Sequence, residues 1–133
     1  MDKQQDQPPR KINISEVFKK YQGQLKSFIA KRVTCDKFKT RIYTNNEIKY
    51  CESKGINKYQ SFAGRFAAKE AIFKAISSAL SNKYSVNWTD IEIINDSNGR
   101  PCVYLNINCI KDIDISISHI KDFAIASAIV TID

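Results

Sequence analysis

The chain is poor in residues that bend, ligate or cross-link. Its 133 residues include four glycines, three prolines and one histidine. Glycine and proline this sparse exclude a collagen-like fibre. The four cysteines, Cys35, Cys51, Cys102 and Cys109, contain no C-x-x-C pair. A structural zinc site takes four N or S ligands, usually in close pairs, and this set does not supply them. His119 alone defines no Ser-His-Asp or Cys-His site. No apolar run approaches the length of a membrane span, and the polar start MDKQQDQPPRK does not read as a secretory signal. The expected location is therefore cytoplasmic, with no membrane partner. Disulfides are not expected there, and the thiols read as small buried hydrophobes.

What is present is ordinary for one globular domain: 43% hydrophobic and 26% charged residues. This length can bury a core without cross-links but is too short for a multidomain enzyme. Residues 1–10, with Pro8-Pro9, read as a flexible polar tail, and residues 11–133 as a single domain. Lysine and arginine total 21 against 14 acidic residues, giving a net charge of +7. Such a domain attracts polyanions. Nucleic acid is not the expected one, because the aromatic residues form no stacking pattern among the basic ones.

Along the chain, Ile12-Asn13-Ile14 alternates as a short strand does. Ser15 to about Ala30 reads as a helix, with Val17, Phe18, Tyr21, Leu25, Phe28 and Ile29 at helical spacing. Lys19, Lys20, Lys26, Lys31 and Arg32 are on or just beyond it. Thr44 and Glu47 form a capping-box signature for a second helix that ends near Gly55. The longest helix is expected over Ser61 to Asn82, where Ala63, Ala67, Ala71, Ala75 and Ala79 recur every four residues. That stripe of small side chains admits close packing. The period then becomes two. Ile91 to Ile94 and Val103 to Ile107 read as strands around the turn Asp96-Ser97-Asn98-Gly99. Ile113 to Ser118 and Phe123 to Ile132 form a further hairpin. The last strand is apolar on both faces, which argues for a central place in its sheet. The fold class is α+β, with N-terminal helices and one long helix packed on an antiparallel sheet.

The segment Ala63-Gly64-Arg65-Phe66-Ala67-Ala68-Lys69-Glu70-Ala71 concentrates the chemistry. Three charges stand beside a tightly packed stripe, and each needs a partner. One reading is a solvated face with Glu70 and Lys74 in a weak surface pair. The other is a phosphate and metal site, with Glu70 as a hard oxygen ligand and Arg65, Lys69 and Lys74 on phosphates.

The segment GRFAAKEA with Lys74 resembles the signature of the holo-acyl-carrier-protein synthases, small-type 4′-phosphopantetheinyl transferases. Arg41-Ile42-Tyr43-Thr44, Glu47 and Tyr50-Cys51 are similar to the family's RIFTxxExxYC segment. Trp88 to Ile93 is similar to its strand before the turn, and Asn98-Gly99-Arg100-Pro101 to its hairpin. Ser116-Ile117-Ser118-His119, then Phe123-Ala124, is similar to its SISH…YA ending. The likeness spans roughly residues 41 to 132 in unbroken order.

The resemblance implies transfer of the phosphopantetheine arm of coenzyme A to a serine of apo acyl carrier protein. It implies Mg²⁺ as cofactor and a homotrimer with sites between subunits. Glu70 and Lys74 would be catalytic, and Arg65, Lys69, Lys74 and His119 would bind the nucleotide, with Arg65 and Lys69 alternatively bracing the site. Lys19, Lys20, Lys26, Lys31 and Arg32 would dock the acidic carrier protein. Two positions depart from the family pattern. Asn13 stands where a metal-binding aspartate is expected, making Asn13 and Glu70 the expected metal ligands. Ser77-Ser78-Ala79-Leu80 replaces a Gly-rich turn. An active transferase and an impaired relative that binds coenzyme A or carrier protein both remain open at this point.

Overall fold

The computed structural model describes residues 11–20, 36–82, 85–105, 107–120 and 123–132, with the first of these segments described by its backbone. Strand β1 (Lys11–Lys20) is followed by α1 (Asp36–Ile42), α2 (Asn45–Glu52) and the long α3 (Lys58–Ile76). Strands β2 (Ile91–Asn95), β3 (Pro101–Leu105), β4 (Ile110–Ile120) and β5 (Phe123–Ile132) complete the chain. The sheets are antiparallel: a three-stranded β1-β5-β4 and a two-stranded β2-β3. The α+β expectation holds, and β5 is central in its sheet as its apolar pattern predicts.

The N-terminal region differs from expectation. Ser15 to Lys20 is not helical but the second half of a ten-residue strand. It pairs without interruption from Lys11 opposite Ile132 to Lys20 opposite Phe123. Phe18 continues the alternation of Ile12 and Ile14 and also keeps helical spacing with Val17 and Tyr21, so spacing alone does not decide between them. The free edge of β5 does, because pairing satisfies a full row of backbone donors and acceptors. Lys19 and Lys20 are therefore strand residues. The rest of the expected helix, with Lys26, Lys31 and Arg32, lies outside the described residues, as does the tail 1–10.

Helix α2 begins as its sequence predicts. The Thr44 side chain accepts from the Glu47 N–H, and the Glu47 carboxylate accepts from the Thr44 N–H. Helix α3 starts earlier and stops sooner than its alanine period suggests, passing into a 3-10 turn at Ser77–Ala79. There the Ser77 hydroxyl donates to the Lys74 carbonyl at 2.9 Å, an alternative to continuing the helical ladder. The β2-β3 turn forms around Asp96, whose Oδ1 accepts from the Asn98 and Arg100 N–H groups. Gly99 takes a positive φ of 80° there. Strand β3 runs two residues ahead of its expected span and ends at Leu105.

The core is built from small residues meeting small residues. Ala63, Ala67, Ala71 and Ala75 of α3 are buried, and so are Ala124, Ala126 and Ala128 of β5. Helix α3 packs on β5, β1 and β4. Tyr43, Phe62, Ile72, Ile76, Ile91 and Ile93 fill the remaining space.

A buried ion pair ties this core to the second sheet. Lys69 Nζ lies 2.6 Å from Glu47 Oε1, and both side chains are fully buried. The ammonium also donates to the carbonyls of Ile42 at 2.7 Å and Trp88 at 3.0 Å. Glu47 Oε2 accepts from the Ile93 N–H at 3.1 Å. Four stretches of chain thus meet α3 at one polar centre. Burial draws the Lys69 ammonium below its ordinary value, and the Glu47 carboxylate opposes that shift.

Lys69→Met leaves the Glu47 carboxylate buried without its cation. The expected loss in urea denaturation at neutral pH is about 3–5 kcal/mol, and adding Glu47→Gln recovers part of it. A single variant as stable as the parent contradicts this.

Candidate active site on the long helix

The charges of the signature segment do not share one face. Arg65 and Lys69 turn inward, whereas Glu70 is half-buried and Lys74 is exposed. Helical geometry puts Glu70 and Lys74 one turn apart, so the outer face of α3 carries a carboxylate followed by an ammonium. Glu70 Oε2 itself is shielded from solvent.

Lys69 does not meet the expectation of a phosphate contact. Its three protons are engaged by Glu47, Ile42 and Trp88, and none of its surface is exposed. Of the two roles that the resemblance implies for it, the geometry supports bracing the site.

Arg65 is 5% exposed and anchors α3 to β2. Its Nη2 donates to Asn95 Oδ1 at 2.7 Å and to the Ile93 carbonyl at 3.4 Å. The guanidinium lies 4.0 Å from the centre of the Tyr50 ring, a close cation–π arrangement. Its Nε is buried and has no hydrogen-bond partner among the described residues. A guanidinium whose buried Nε–H is unmatched among the described residues can take a further acceptor, such as a phosphate oxygen.

His119, near the end of β4, lies against the same helix. Gly64 has no side chain, and a Cβ there would stand 3.2 Å from His119 Cδ2 and 3.1 Å from Ile117 Cγ2. The glycine of the signature thus makes room for the imidazole. His119 Nδ1 is 3.2 Å from Gln60 Oε1. Burial, with the positive charge of Arg65 adding to it, holds the imidazole below its ordinary value. Arg65 and His119 therefore belong to one neighbourhood.

Asn13 is on β1, with Val130 of β5 as its register partner. Helix α3 packs against β1, which puts the Asn13 position on a strand next to the helix that carries Glu70. The Asn13 side chain lies outside the described residues. Among the described residues no three His, Cys, Asp or Glu side chains gather as a metal cluster. The described cysteines are free thiols, and burial pushes that of Cys51 up to about 11.

Several residues of this neighbourhood have roles that the sequence does not show. Glu47 reads as a capping residue, yet it is also the buried partner of Lys69. Tyr50, Asn95 and Gln60 contact Arg65 or His119 only through the tertiary fold. An aromatic cluster supports the outer face: Phe66 stacks on Trp88 at 5.4 Å, and Phe73 meets Trp88 edge-on at 4.8 Å.

Comparison with known proteins gives the family. Residues 24–131 match the family model described as the 4′-phosphopantetheinyl transferase superfamily. The chain is 48% identical over 103 residues to a holo-[acyl-carrier-protein] synthase of Clostridium tetani, covering 71% of this chain and 78% of that one. It is 38% identical over 104 residues to the one of Ruminiclostridium cellulolyticum, covering 72% and 76%. A holo-(acyl-carrier-protein) synthase structure from Bacillus anthracis, in complex with CoA (3′,5′-ADP), superposes with a TM-score of 0.74. It is 32% identical and covers 94% of this chain and 100% of that one. The Helicobacter pylori synthase in complex with coenzyme A gives a TM-score of 0.67 at 28% identity, covering 88% and 98%. In fold, sequence and signature segment alike, this chain belongs to the 4′-phosphopantetheinyl transferase superfamily.

Proposed function

We propose that this protein transfers the 4′-phosphopantetheine arm of coenzyme A to a serine hydroxyl of apo acyl carrier protein, releasing adenosine 3′,5′-bisphosphate. The observation that carries the reading is the division of the signature helix. Its inward charges are tied into the fold, its outer face carries the half-buried Glu70 and the exposed Lys74, and His119 packs on the same helix at Gly64. The curated relatives named as holo-[acyl-carrier-protein] synthases support the same reaction.

In this reading the serine oxygen attacks the phosphorus that bears the arm, and its hydroxyl proton passes to water. The bond from that phosphorus to the bridging oxygen breaks, and the nucleotide half leaves with the electron pair. Lys74 stabilises charge on the leaving phosphate. Arg65, through Nε, and His119 bind phosphate oxygens of the nucleotide. Lys69 and Glu47 hold α3 in place beneath them.

The oxygen donors available suit Mg²⁺. Glu70 presents a half-buried carboxylate, and Asn13 on the adjoining strand brings a neutral amide. This is too small a set for an all-protein cage, but Mg²⁺ commonly takes one or two carboxylates and completes its shell with water and phosphate oxygens. Glu70 and Asn13 would hold the ion, and a bound Mg²⁺ neutralises charge building on the pyrophosphate. An amide in place of a second carboxylate weakens the ion's binding.

The acidic carrier protein docks on the basic N-terminal segment that includes Lys19, Lys20, Lys26, Lys31 and Arg32. The active unit is a homotrimer. This is supported by the outer face of the β1-β5-β4 sheet, where Ile125 and Ile129 are 40% and 44% exposed and Ile120 is 61% exposed. No helix among the described residues is long and apolar enough to cross a membrane. A cytoplasmic location fits the reaction.

The direct test mixes protein, coenzyme A, Mg²⁺ and apo carrier protein and follows the added arm by mass spectrometry. Glu70→Gln is expected to lower transfer at least about a hundredfold with an unchanged fold by circular dichroism. Parental turnover in that variant removes Glu70 from the mechanism. Asn13→Asp should reduce the Mg²⁺ concentration needed for half-maximal rate; an unchanged metal requirement excludes Asn13 as a ligand. Ile129→Glu should convert a trimer to monomers in sedimentation and depress transfer with it. A trimer that survives the new charge contradicts burial of that face.

A further inference from the structure

We propose that Gln60 is a positioning residue that fixes the proton of His119 on Nδ1, leaving Nε2 as the nitrogen offered to the nucleotide. The inference rests on the reading of His119 as a phosphate contact.

The geometry is that of a ring held on two sides. Gln60 and Gly64 are one turn apart on α3, and His119 approaches both from β4. Gly64 lets Cδ2 lie against the helix, and Gln60 Oε1 stands 3.2 Å from Nδ1. An amide oxygen only accepts, so the nitrogen facing it must carry the proton. Nε2 has no hydrogen-bond partner among the described residues. Arg65 on α3 is the charged group that acts on the ring. Strand β5 places Ala124 opposite His119 and adds no charge there.

This arrangement has a chemical consequence. With Nδ1 protonated, the neutral ring presents a lone pair at Nε2, and a phosphate oxygen has no proton to offer it. A hydrogen bond from Nε2 to phosphate therefore requires the imidazolium. Burial and the Arg65 charge keep the unliganded ring mostly neutral at neutral pH, so coenzyme A binding takes up a proton. Binding then weakens as pH rises. Without Gln60 the neutral ring is free to donate from Nε2 with no proton uptake, but the contact then comes from an uncharged donor and is weaker than that of the imidazolium.

His119 is the only histidine, so its ring nitrogens are read directly by ¹⁵N NMR of the full chain. The expected result is the Nδ1–H form in the parent and its loss in Gln60→Leu. Gln60→Glu, which keeps an acceptor at that point, retains it. The Leu variant should raise KM for coenzyme A about three- to tenfold with kcat within about twofold. Calorimetry in buffers of different ionisation enthalpy should show proton uptake on coenzyme A binding in the parent and less in the Leu variant. A parent ring protonated on Nε2, or a form unchanged by Gln60→Leu, overturns the proposal even should the Leu variant fold poorly. If the Nδ1–H form depends on Gln60 but coenzyme A leaves the Nε2 signal unmoved, the phosphate-contact reading of His119 falls instead.

Discussion

The buried pair between Glu47 and Lys69 is the constraint on which the other contacts depend. An ammonium taken out of water is costly unless its charge and its protons are all engaged. Here a carboxylate and two carbonyls take those roles, and the three come from separate parts of the chain. The centre therefore forms only when α1, α2, α3 and the approach to β2 are all in place. Its energetic worth against an apolar replacement is modest, but removing one partner alone is severe. The pair thereby selects one register of α3 against the rest of the fold.

That register decides which side chains reach solvent. With Lys69 held inward, the next residue, Glu70, turns toward the outer face, and Lys74 follows one turn on. Arg65, one turn before Lys69, is drawn against Tyr50 and Asn95. The alanine stripe completes the arrangement by letting α3 lie close on β5. A signature that reads as a run of charges is therefore two sets. One holds the helix, and the other is presented to a ligand.

Some of this was legible in the residues alone. The capping box at Thr44, the turn at Gly99 and the apolar β5 each rest on local chemistry, and each forms where expected. The N-terminal strand was not legible in full, because Phe18 fits both the alternation from Ile12 and the helical spacing to Tyr21, and only the edge of β5 chooses between them. The true end of α3 was equally hidden, since Ser77 competes for a carbonyl that alanine spacing does not reveal. Lys69 read as a phosphate ligand because a lysine's type does not tell which way its side chain turns.

The sequence by itself determined the fold class, the order of the β-hairpins, the family and the residue types of the site. These follow from local propensity, periodicity and motif order, which neighbours along the chain carry. Only the tertiary structure decided that Glu47 is a buried counter-ion, that Gly64 makes room for His119, and that Gln60 stands at Nδ1. Each of those roles needs a partner distant along the chain. Such partners become neighbours only when α3 packs on the sheets, because burial turns an ordinary surface residue into one whose every polar atom must be matched.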